Sequence, residues 1–154
     1  MTTAIDNLIP TSAEQTALVD RFILTQVERQ TLVFPATWVA EILRIEKSQI
    51  LDLPFYDSLL VGVANHNSQI IPLIIGARLL KLEHSLPERL IVVRLNENAT
   101  RLENVGIIVD RAIGSSTRDQ LPSELFITND ADDMVMMRSL LVPIRLWQPQ
   151  YWSD

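Results

Sequence analysis

The apolar residues of this chain come in short Val/Ile/Leu runs that polar clusters or prolines interrupt at intervals of roughly eight to twelve residues. That punctuation leaves no room for long helices or for a membrane span, which needs about 18 consecutive apolar residues. It favours small β-barrels or a sandwich with a few short helices at the seams. With 47% hydrophobic and 21% charged residues in 154, the chain can still build a real core.

From Arg21, RFILTQV and TLVFP read as a hairpin across Glu28, Arg29 and Gln30, although no Asn-Gly or Asp-Gly marks the turn. After Pro35, Trp38, Ile42 and Ile45 recur at three and four residues with Val39 and Leu43 beside them, which predicts a short helix. DLPFYDSLLVGVAN and QIIPLIIGARLLKLE read as strands, the second running into a short ARLLKL helix. RLIVVRL and VGIIVDRAIG flank the polar stretch NENATRLEN and predict a second hairpin. Residues 129–133 read as an exposed turn, and MVMMRSLLVPIRLWQPQYW as strand then helix. The two hairpin blocks, roughly 19–82 and 88–130, suggest two lobes, while residues 1–17 read as a flexible arm before a single domain, 18–154.

Several function classes find no residues to serve them. The absence of cysteine removes disulfides and thiolate chemistry. A net charge of −6 repels phosphate backbones, and the arginines are interspersed with acids, so nucleic acid is not an expected partner. The start of the chain carries no basic, apolar leader, and a cytoplasmic protein without membrane insertion is expected. The four glycines form no phosphate-cradling loop, and His66 and His84 are read as surface residues far apart, so no cofactor or metal site is expected. Starting from Asp130, a calcium loop would place Met134, Val135 and Leu141 at its required ligand and glycine positions. Met134, Met136 and Met137 read as core, as does Trp38, whereas Trp147, Tyr151 and Trp152 suit packing or an interface equally.

One stretch resists the core-and-turn reading: GVANHNSQIIP sets five consecutive polar residues between two apolar runs. Taken in order, FPATWVAEIL, then GVAN with IIPLI, then VGIIVDRAIG, the chain resembles the CheW family of chemotaxis coupling proteins. The resemblance covers roughly residues 20–130. It implies two intertwined SH3-like lobes, each a five-stranded β-barrel, and a non-catalytic adaptor. Such an adaptor binds the regulatory domain of a CheA-type histidine kinase and the cytoplasmic tip of a methyl-accepting receptor, at membrane-associated arrays.

The partner-binding residues carried over by that resemblance are Glu41, Arg44, Asn65, His66, Asn67, Ser68 and Arg78. Gly62, Val63 and Asn65 match the family's turn, but His66, Asn67 and Ser68 stand where it has Leu-Arg-Gly, and Ile75 and Gly76 where it has Asp-Leu. The helix glutamate, Glu41, thereby loses its usual arginine, and Arg44 is expected to reach it at i,i+3. The turn is expected to face the receptor, so an Asn67→Arg change is expected to alter receptor affinity while leaving stability nearly untouched. The divergent turn and the aromatic tail suggest a system serving type IV pilus motility or phototaxis. Asp110 is read as ordering a turn, and Gly106 and Ile107 as buried strand. Two other classes stay open: a homo-oligomeric scaffold, and a small metabolite-binding barrel or enzyme pairing Asp110 with Glu41 or Asp57.

Overall fold

A strand buried on both faces organises the molecule. In this computed structural model, which describes residues 20–140 and 142–149, strand β2 (Gln30–Pro35) sends Leu32 and Phe34 into the larger core and Val33 into a smaller one. It pairs with β1 (Arg21–Val27) through a two-residue loop, Glu28-Arg29, in the register Val27 opposite Gln30. The one polar residue buried here, Thr25, donates its hydroxyl to the Leu32 carbonyl at 2.8 Å, which removes the cost of an orphaned donor.

After Pro35 the chain makes only a 3₁₀ turn (Ala36–Trp38) and then enters β3 (Val39–Glu46), where a helix was predicted. The apolar positions 38, 39, 42, 43 and 45 fit both periods. Three features settle the competition for the strand: the β-branched Val39, Ile42 and Ile45, the Pro-led entry, and a neighbouring strand in need of a partner. That neighbour is β6 (Arg89–Leu95), antiparallel to β3 with Leu43 opposite Val92. Leu43 and Ile45 face the core, while Ile42 is 43% exposed on the outer face.

Strands β4 (Leu60–His66) and β5 (Gln69–Ile75) form the next hairpin, and Ile75 leads into a four-residue helix, α1 (Gly76–Leu79). Pro72 is tolerated within β5 because β7 (Gly106–Val109) joins it only from Leu73 onward, so no ladder bond is lost there. The expected β6–β7 hairpin is present, but VGIIVDRAIG does not remain one strand. At Asp110 the chain leaves that sheet, and β8 (Arg111–Thr117) pairs with β1 instead. A short helix, α2 (Leu125–Thr128), precedes the small hairpin β9 (Asp130–Ala131) and β10 (Met134–Met136), so residues 129–133 form part of a ladder and not only a turn.

The two sequence blocks therefore do not each make a lobe. One five-stranded sheet runs β8-β1-β2-β10-β9 and the other β3-β6-β7-β5-β4, so each draws strands from both halves of the chain. The larger core joins Val27, Leu32 and Phe34 of the first sheet to the inner face of the second. Met136 and Met137 are buried as expected. Among the described residues beyond β10 only 3₁₀ turns follow, Met137–Ser139 and Ile144–Trp147, where a helix was expected. Residues 1–17, Tyr151 and Trp152 lie outside the described residues.

His84 is not a free surface histidine. Its side chain is 13% exposed, with Nδ1 2.5 Å from Glu28 Oε1 and Nε2 3.6 Å from Asp110 Oδ1. Asp110 also accepts the Glu28 N–H at 2.6 Å, and its own N–H donates to the Gln26 carbonyl at 2.8 Å. Glu28 holds φ = 55° with no glycine to ease it, so the Asp110 carboxylate fixes the β1–β2 turn that lacks a sequence signal. Asp110 does order a turn, from 82 residues away.

Candidate functional site

The polar stretch between β4 and β5 begins as a backbone device. His66 lies opposite Gln69, leaving Asn67 and Ser68 as the two loop residues, with φ of 51° and 66°. Positive φ at both positions is the type I′ pattern that suits the twist of paired strands. Asn tolerates this region, whereas serine does so at a cost. Replacing Ser68 by glycine should raise stability by about 0.5–1 kcal/mol in a denaturant titration, since the relief of strain exceeds the added chain entropy. The same geometry corrects the expectation for Asn67: an arginine there should cost about 1 kcal/mol through backbone strain alone.

The remaining polar residues belong to a rim. On β3, Leu43 and Ile45 point inward, and the next position on that face is Glu41. On β6, Leu90 and Val92 point inward, and the next is Arg94. Likewise Ala64 is followed by His66 on β4, and Leu73 and Ile71 by Gln69 on β5. Each apolar column of the second sheet thus ends in a polar side chain at the same end of the core.

Arg94 binds that rim together. It lies opposite Glu41 in the β3–β6 register, donates from Nε to Glu41 Oε2 at 2.9 Å, and makes a second, shorter bond from Nη2 to the same oxygen. Its Nη1 donates to Asn104 Oδ1 at 3.0 Å and Gln69 Oε1 at 3.3 Å, and Asn104 donates onward to the Ile70 carbonyl at 3.0 Å. His66 Nε2 stands 4.0 Å from Glu41 Oε1, with Asn67 Nδ2 3.2 Å from the same ring nitrogen. At 21% exposure for Arg94 and 37% for Glu41, the pair is half-screened, and its value lies in holding four strands and a loop in register at an open surface.

Of the seven residues singled out in the sequence, the structure gathers Glu41, His66, Asn67 and Ser68 at this rim. Asn65 points to the opposite face of β4. Arg44 does not reach Glu41, because three residues along a strand reverse the face; it lies exposed opposite Ile91. Arg78 sits on α1 and donates to the Ser58 carbonyl. Arg94 and Asn104 escaped the sequence reading, and Gln69 entered it only as the last residue of the polar run. The trace they leave is Arg94 in RLIVVRL, at the position that follows the inward Leu90 and Val92.

A family model for the CheW-like domain matches residues 21–131. The chain belongs to the CheW-like family. Among solved structures, the scaffolding protein TtCheW from Thermoanaerobacter tengcongensis is similar at a TM-score of 0.53 and 17% identity, over 64% of this chain and 64% of that one. At that identity the likeness concerns the fold alone, and it spans less than two thirds of the other chain's length. A comparison with curated proteins finds no match. In this CheW-like chain the glutamate of β3 keeps an arginine partner, supplied by β6 and not by the turn.

Proposed function

We propose that this CheW-like protein is a non-catalytic adaptor of a chemotaxis-like signalling system. One surface holds the regulatory domain of a CheA-type histidine kinase, and another holds the cytoplasmic tip of a methyl-accepting receptor. The observation that carries the reading is the Glu41–Arg94 pair with His66 and Asn67 beside it, an ordered polar rim at the open end of a CheW-like lobe. A rim whose charges are already oriented presents a partner with fixed donors and acceptors and little entropy left to lose on binding.

The paired-carboxylate reading finds no support in the geometry. Glu41 is taken by Arg94, Asp57 by Arg145 at 3.3 Å, and Asp110 by the β1–β2 turn and His84. No helix among the described residues is long and apolar enough to cross a membrane, so placement at a receptor array would come through partners. Type IV pilus motility or phototaxis is the proposed output, on the strength of the divergent turn.

Calorimetric titration against the kinase regulatory domain from the same genome tests this reading. The expected Kd is micromolar or tighter, about −8 kcal/mol. With the candidate receptor tip added second, Arg94→Ala should weaken its binding about tenfold or more, while Arg44→Ala, on the other face, leaves it within about twofold. No heat for any such kinase would favour a self-assembling scaffold instead.

A further inference from the structure

Away from the rim, the molecule holds a cleft of about 500 Å³, a volume in the range that binding pockets occupy. Trp38, Leu102, Leu140, Val142 and Trp147 wall it, and Met137 forms its floor. It lies at the seam of the two sheets, between the turn that leads into β3, the β6–β7 loop and the segment after β10. Neither Glu41 nor any other rim residue lines it.

Two cations stand at its edge, Arg101 and Arg138. Among the described residues neither has a carboxylate within salt-bridge distance, although the protein carries a net charge of −6. Among the described residues the Arg138 side chain makes one polar contact, a long one of 3.4 Å from Nε to Asn129 Oδ1. A site with apolar and indole walls and two unanswered guanidinium groups is complementary to an aromatic segment carrying an acid.

This chain contains such a segment next to the cleft. Trp147 is itself a wall, and residues 150–154, which follow it closely, include Tyr151, Trp152 and Asp154. Each residue spans up to about 3.5 Å, so this stretch has the reach to fold back over its own point of departure. Residues 1–19 also leave near Trp38, because Phe22 pairs with Pro35. They contain no aromatic residue and match the indole-lined walls less well.

We infer that this cleft is the seat of the chain's own residues 150–154, with Tyr151 and Trp152 between Trp38 and Trp147 and Asp154 against Arg101 and Arg138. Seated there, the segment covers the two indoles, and a partner presenting a similar aromatic-acidic motif would have to displace it.

The cysteine-free chain permits a direct test. Thr100 is exposed on the cleft wall, so Thr100→Cys with Ser153→Cys in the full-length protein should form an intramolecular disulfide under mild oxidation. Adding Arg101→Glu and Arg138→Glu should lower its initial rate about five- to tenfold, as expected from losing two charge contacts and gaining repulsion. Deleting residues 1–19 should leave that rate unchanged. The inference is overturned by disulfides that form only between chains, by two thiols that stay free to a small thiol reagent after oxidation in a chain with a folded circular dichroism spectrum, or by a rate indifferent to arginine reversal.

Discussion

Phe34→Ala should lower stability by about 3–5 kcal/mol, among the largest losses expected from truncating a side chain in this protein. Phe34 is wholly buried, and although it belongs to the first sheet, its ring fills the core of the second. Truncating it opens a cavity where the two sheets meet, between elements whose backbones are held by ladder bonds and cannot collapse onto it. A domain stable by about 5–15 kcal/mol loses a fifth or more of that margin, and the melting temperature should fall by about 6–20 °C. Because the side chain serves both sheets, thermal unfolding followed by near- and far-ultraviolet circular dichroism should remain a single transition. Two separated transitions would show that the sheets are stabilised independently.

Gly62→Val should cost about 2–6 kcal/mol for a different reason. A Cβ at this position would lie 2.4 Å from the Leu51 carbonyl oxygen and 2.7 Å from Ile50 Cγ2. A backbone oxygen cannot rotate aside, so the segment at Leu51 must move off β4. That breaks the bridge in which Leu51 and Val63 exchange hydrogen bonds of 2.8 and 3.0 Å. Two such bonds contribute about 0.5–1.5 kcal/mol each, and overpacking adds about 1–3 kcal/mol. Hydrogen exchange provides the specific check. The Leu51 and Val63 amides should lose protection before the β3–β6 ladder does, and uniform protection would mean that the segment had absorbed the side chain without leaving.

The clearest misreading from sequence concerns Val39 to Ile45. A short apolar pattern with gaps of three and four residues satisfies a helix and a strand equally, and only the unpaired edge of β6 decides between them. Glu41 was found, yet its partner was sought on the same element. In a strand the neighbour of a side chain is the residue across the ladder, and Arg94 is 53 positions away. A buried-parity arginine in RLIVVRL was the available clue. His84 gave no such clue, since its two carboxylate neighbours come from a turn and a strand exit remote in the chain.

What the sequence by itself determined is the material of the fold. Short β-branched runs with frequent turns require small sheets, and the ordered motifs around Glu41, Gly62 and Gly106 point to one family. These are local properties, set by side-chain shape and by the spacing of polar and apolar positions. The tertiary structure alone decided which strands share a sheet, that the chain changes sheets at Asp110, and that Glu41, Arg94, Gln69 and Asn104 meet at one rim. Each of those depends on pairing between distant segments. Burying the larger core selects that pairing, because the energy gained belongs to the assembled sheets and to no segment alone.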